Sequence, residues 1–137
     1  MGVVLFLSGC QHGAGNEGTS GAPAGTKVAV TLTEYAIQLS DGSVPSGHVT
    51  FDVRNAGHEK HEVVILKTDI QSTALPLGAD GMVPENATGI THVDEIEGLD
   101  SGRERSLAIN LAAGSYVLIC NLPGHVRKGM VAQLTVR

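Results

Sequence analysis

Cys120, His125 and Met130 stand at five-residue intervals in the segment Cys120-Asn-Leu-Pro-Gly-His125-Val-Arg-Lys-Gly-Met130. One thiolate, one imidazole and one thioether thus share a short loop shaped by Pro123, Gly124 and Gly129. Soft sulfur suits Cu(I), imidazole suits both oxidation states of copper, and a trigonal His2Cys set with a weak axial Met makes an electron-transfer copper site. The loop supplies one His. His61, which opens the apolar run Glu62-Val-Val-Ile-Leu66, is the candidate for the second.

Taken singly, each residue has an ordinary reading: Cys120 as a buried structural thiol, Met130 as a gap filler, His125 as a surface-loop residue. Their joint spacing points to a metal. Zinc also takes Cys and His, but Met is not among its usual ligands. His58 lies two residues short of His61's neighbour Lys60, and Glu59 and Glu62 are close by, so this stretch could itself suggest a metal pair. His58 reads as exposed on the loop before the strand. His48 and His92 have no partner nearby in sequence and are left out of the site, and His12 lies in a polar tether.

The elements that must hold these ligands are short strands. Val28, Val30 and Leu32 alternate with polar residues, the period of a half-buried strand. Tyr35 to Leu39 is a second short run, and His48 to Arg54 alternates again. His61 to Lys67 is almost continuously apolar, as expected of a strand buried on both faces. Arg105–Leu111, Ser115–Cys120 and Val131–Val136 complete the strong strand signals, with His92–Ile96 a weaker one. Asp41 to Gly47 and Asn55 to Gly57 read as turns. Residues 68–91 hold no period of 2 or 3.6, are punctuated by Pro76, Gly78, Gly81, Pro84 and Gly89, and read as a long irregular connection with one helical turn at most. This gives an all-β sandwich of about eight strands.

Composition agrees. Aromatic residues make up only 3% of the 137-residue chain and Trp is absent, so Val, Leu and Ile must build the core. The formal charge of -5 argues against a nucleic-acid partner. Two cysteines, Cys10 and Cys120, could pair in an exported protein. Each also has a local explanation. Residues 1–10 are an apolar run ending in Leu7-Ser8-Gly9-Cys10, which resembles a bacterial lipoprotein signal whose lipobox Cys carries the lipid. The basic n-region is lacking and the apolar stretch is short, so the reading frame is expected to begin upstream. A buried N-terminal strand is the other reading of this run. Ten residues do not span a bilayer as a helix. Residues 11–26 are Gly, Ser, Thr, Ala and Pro with little to bury, a flexible linker. The folded domain is expected over 27–137.

Gly114-Ser-Tyr116-Val-Leu-Ile-Cys120, Pro123-Gly124-His125 and Gly129-Met130 resemble the C-terminal signature of the cupredoxins, and Asn55-Ala-Gly-His-Glu-Lys-His61 resembles the start of their first-ligand strand. The Cys-x4-His part is similar to azurin, the His-x4-Met part to plastocyanin, and the whole spacing to rusticyanin. The resemblance implies a Greek-key β-sandwich, one copper ion, and His61, Cys120, His125 and Met130 as its ligands. Two positions depart from it: Glu62 stands where azurin and plastocyanin carry an Asn that ties the ligand loops, and Lys60 where azurin has Gly. Asn121 is the candidate for a compensating hydrogen bond, and a backbone carbonyl as fifth ligand is not implied.

The expected function is a monomeric electron carrier that shuttles single electrons between a redox donor and an acceptor, a cytochrome, an oxidase or a reductase. It would be held to the membrane by lipid at Cys10 alone and face the periplasm or the outer side of the cell membrane. Leu122, Pro123 and Val126 would form an apolar collar round His125, with Arg127 and Lys128 orienting an acidic partner. Competing readings are a copper chaperone and an accessory domain of a copper oxidoreductase. Three Met and no His-rich tract oppose the first. Ile119 and Asn121 flank Cys120 where coupling to a trinuclear centre needs His, and a dinuclear centre needs a second loop cysteine.

Overall fold

The computed structural model describes residues 25–137. Cys10, the signal-like run, most of the linker and His12 lie outside the described residues. Nine strands follow in order: β1 (Thr26–Thr33), β2 (Ala36–Leu39), β3 (Ser43–Val44), β4 (Gly47–Asn55), β5 (His61–Lys67), β6 (Thr91–Leu99), β7 (Glu104–Leu111), β8 (Gly114–Ile119) and β9 (Val131–Val136). They form a four-stranded sheet, β2-β1-β4-β7, and a five-stranded sheet, β3-β9-β8-β5-β6. Both sheets are mixed: β1 runs parallel to β4 and β3 parallel to β9, while the other pairs are antiparallel. Among the described residues no helix is long and apolar enough to cross a membrane.

The strand readings hold with two extensions. The turn cluster at 41–47 contains the two-residue β3, and β6 is nine residues long rather than five. β6 escaped because its register breaks twice against β5, between His61 and Val63 and between Ile65 and Leu66. Two residues of β6, Glu97 and Gly98, stand opposite Glu62, and Gly98 takes a left-handed φ of 57° there. A bulge of this kind disrupts the period of 2 by which a strand is read.

The main core lies between the sheets. Val28, Val30 and Leu32 of β1 and Val49, Phe51 and Val53 of β4 meet Val63 and Ile65 of β5, Leu118 of β8 and Leu134 of β9. Successive side chains on a strand point to opposite faces. On β5 the inward set is therefore His61, Val63 and Ile65, and along β8 it is Tyr116, Leu118 and then Cys120. The same alternation that buries the core delivers two ligand-type residues to one end of it.

The outward set is buried too. Val64, Leu66, Val117 and Ile119 pack under Leu75, Val83 and Ile90 of the 68–91 connection, together with Val126. The connection is thus a strap over the outer face of the five-stranded sheet. It carries one 3₁₀ turn, Ser72–Ala74, as expected. Each fully buried aliphatic side chain contributes roughly 1.5–3 kcal/mol, which keeps an aperiodic segment in place. It has no period because it is neither helix nor strand; its few apolar residues need only reach the sheet at intervals.

Candidate metal centre

His61 enters as the first residue of β5 and is fully buried. Its approach is fixed by Asn55, the last residue of β4, also fully buried. Asn55 Nδ2 donates to the carbonyls of Glu59 at 2.7 Å and Leu99 at 2.8 Å, and its Oδ1 accepts the Gly57 N–H at 2.9 Å. This buried side chain ties down the turn that precedes His61.

Cys120 follows β8, and residues 121–130 fold back in tight turns. The Cys120 N–H donates to the Met130 carbonyl at 3.1 Å, and the Met130 N–H to the His125 carbonyl at 3.0 Å. His125 N–H in turn donates to the Leu122 carbonyl at 3.0 Å. The three residues are therefore locked together through their backbones. Met130 is fully buried in the same core cluster as Cys120.

The donor atoms converge. Sγ of Cys120 lies 3.4 Å from Nδ1 of His125 and 3.9 Å from Nδ1 of His61. All three ligand-type atoms fall within 4.8 Å of one another. With metal–sulfur and metal–nitrogen bonds of about 2.3 and 2.0 Å, a tetrahedral or trigonal ion separates sulfur from nitrogen by about 3.5–3.7 Å. The observed separations bracket that figure, so the residues fit one first-row metal ion. The imidazole rings meet edge to face, centroids 5.4 Å apart.

Local electrostatics favour the uncharged forms of Cys120 and His125. Burial pushes the Cys120 thiol above its ordinary pKa, against the lowering effect of backbone N–H groups. One of these is the Glu62 N–H, 3.5 Å from Sγ. Burial, then the neighbouring His61, holds His125 below the usual imidazole value. A cation would reverse this balance at sulfur, since a coordinating thiol is deprotonated outright.

Two residues that sequence reading missed complete the surroundings. Glu34 and Tyr35 form the two-residue turn between β1 and β2. Glu34 Oε1 accepts the N–H groups of His58 at 2.6 Å and Glu59 at 2.9 Å, and lies 3.4 Å from Nε2 of His61. The Glu59 and His58 N–H groups are the main reason its carboxyl sits at about 2, below the ordinary carboxylate range. Tyr35 has a left-handed φ of 63°, rare for a bulky residue. Its ring stands perpendicular to that of His125, centroids 5.4 Å apart. The only sequence signal was a two-residue gap between two alternating runs.

Other expectations need correction. Val126 does not join a collar round His125; it is buried beneath the strap, while Leu122 is half-buried and Pro123 exposed. Lys128 donates to the Tyr35 hydroxyl at 3.0 Å and lies 4.2 Å above its ring, so its charge is partly engaged. Asn121 side-chain atoms bind Val83 and Glu85 of the strap rather than tying the ligand loops together. His92, which had no evident partner in sequence, lies 3.7 Å from Glu85 and 3.8 Å from Glu95 at the surface. His58 is exposed, as expected, His48 is exposed on β4, and Lys60 pairs with Asp100 at 3.2 Å.

A family model described as the sulfocyanin (SoxE) domain matches residues 41–137. Among solved structures, dithionite-reduced auracyanin from Roseiflexus castenholzii is 25% identical, covering 83% of this chain and 98% of its own, with a TM-score of 0.62. Rusticyanin from Thiobacillus ferrooxidans is 14% identical, covering 83% of this chain and 79% of its own at a TM-score of 0.59. Auracyanin A from Chloroflexus aurantiacus, a "blue" copper protein, is 18% identical, covering 81% and 99% at 0.52. The last two speak for the fold alone. No curated sequence matches the chain.

Proposed function

Since the chain belongs to the sulfocyanin (SoxE) domain family of cupredoxins, we propose that it is a blue-copper electron carrier with His61, Cys120, His125 and Met130 as copper ligands. The observation that carries this is the convergence of Sγ and two Nδ1 atoms on one point, with Met130 locked to both loop ligands. Copper, cycling between Cu(I) and Cu(II), supplies the one-electron chemistry. Everything else is the work of the chain.

Both sheets and the loop hydrogen bonds fix the donors, so neither oxidation state is free to rearrange its cage. The core closes three sides: His61, Cys120 and Met130 are fully buried. His125 alone reaches outward, with 12% of its side chain exposed. With copper bound, the His125 edge, beside Tyr35, Leu122 and Pro123, would be the point where a redox partner comes nearest the metal. Small contacts of this kind suit the brief complexes of redox partners. Lipid attachment at Cys10 and an extracytoplasmic site of action are part of the proposal, supported by Leu7-Ser8-Gly9-Cys10 and the Gly/Ala-rich stretch after it. Fractionation of cells expressing the chain, with Cys10→Ala released from membranes, tests that part.

The metal reading is tested by adding Cu(II) to purified protein. A strong visible thiolate-to-copper band is expected, lost in Cys120→Ser. A colourless protein that prefers zinc would sink it.

A further inference from the structure

His61 Nε2 is the one buried side-chain polar atom without a hydrogen-bond partner among the described residues. Buried polar groups are rarely left so, and an exception asks for a reason. A neutral imidazole carries one N–H, and if Nδ1 faces the metal through its lone pair, the proton must sit on Nε2. Glu34 Oε1 is 3.4 Å from Nε2. We propose that Glu34 is a positioning residue of the metal centre: its Oε1 accepts the His61 Nε2 proton, fixes the ring with Nδ1 toward the metal, and lowers the reduction potential. This rests on the copper reading above.

The geometry is specific to this chain's residues. Glu34 lies in the β1–β2 turn of the four-stranded sheet and His61 on β5 of the five-stranded sheet, so the contact joins the two layers at the site. The same Oε1 is already aimed by two backbone N–H groups, from His58 and Glu59. It is held before the imidazole arrives rather than swinging freely. Gly57 provides the room: a Cβ there would collide with the Glu34 carboxylate. A carboxylate behind a ligating imidazole raises ligand basicity and favours the higher-charged metal ion, and losing such a partner typically weakens metal binding 10–100-fold.

The test compares Glu34→Gln, which keeps an oxygen acceptor but removes the charge, with wild type. Wild-type protein must first show the thiolate-to-copper band; if it does not, the copper reading fails and not this inference alone. With the band present, Glu34→Gln should bind Cu(II) about tenfold more weakly, with Cu(I) binding little changed. A tenfold selective loss raises a one-electron potential by about 59 mV. A potential and a Cu(II) affinity equal to wild type would overturn the proposal, leaving Glu34 as a mere clamp on the His58 turn. Nuclear magnetic resonance of the Cu(I) protein gives an independent reading that needs no variant. The His61 Nε2 proton should be visible and protected from exchange; rapid exchange with water overturns the proposal even if Glu34→Gln does not fold.

Discussion

Asn121 holds Val83 by both sides of its peptide backbone: Oδ1 accepts the Val83 N–H at 2.7 Å, and Nδ2 donates to the Val83 carbonyl at 3.0 Å. The residue next to Cys120 thereby fastens the strap to the ligand loop. Nearby, Gly81 packs so closely on Gly124 that a Cβ would lie 3.0 Å from the Gly124 backbone. Strap and loop therefore form one unit on the outer side of the site.

Asn121→Ala would leave both Val83 backbone groups without their partner in a buried position. Each orphaned group costs about 1–3 kcal/mol, so a loss of about 2–6 kcal/mol is expected in urea unfolding of the apo protein. A loss under about 0.5 kcal/mol, the range of ordinary surface changes, would show that the clamp is not what secures the strap.

Met130 can be altered without emptying the core. Met130→Leu conserves volume and should cost under about 1.5 kcal/mol, whereas Met130→Ala at a fully buried position should cost about 2–5 kcal/mol. Removing the weak axial donor favours Cu(I), so Met130→Leu should raise the potential while the thiolate-to-copper band persists. Voltammetry beside thermal unfolding separates the two effects, and a lowered potential contradicts the axial assignment.

Glu95 sets a pH dependence. Burial first, then Glu97 and Glu85, pushes its carboxyl above the ordinary value of 4.5. Below that value the group is protonated in both folded and unfolded chains and has no effect. As pH rises through the raised folded value, the fold must hold an unwelcome charge, and stability falls. Glu95→Gln should therefore raise the melting temperature at pH 7 by about 1–3 °C and leave it unchanged at pH 4. An equal gain at both values would mean packing, not charge, is responsible.

Arg127 is exposed beside His125, while Lys128 is held against Tyr35. The port is not purely basic, since Glu59 Oε2 lies 3.9 Å from His125 Nε2. Arg127→Glu should slow electron exchange with a small anionic oxidant by about two- to tenfold at low ionic strength, with the difference fading as salt screens it. Stopped-flow rates that ignore both salt and the substitution would remove steering from the account.

Some of this was legible in the chain. Alternation marked the strands, the apolar run His61–Lys67 announced a strand buried on both faces, and the Cys120–His125–Met130 spacing named the donors. Such signals are local: a period of 2 is imposed by the strand itself, and ligands on one loop must be close in sequence.

Residues brought together from distant parts of the chain left no such trace. Glu34 and His61 are 27 positions apart, Asn121 and Val83 are 38 apart, and nothing in the sequence pairs Glu34 with His61 or Asn121 with Val83. Hydrogen bonds are directional and act over one ångström-scale gap, so only the packed sandwich decides which partners lie within it. The sequence by itself determined which metal chemistry the ligands suit and which strand faces carry His61 and Cys120. The tertiary structure alone decided that Glu34 stands behind His61, that Tyr35 meets the exposed edge of His125, and that the aperiodic strap seals the outer face.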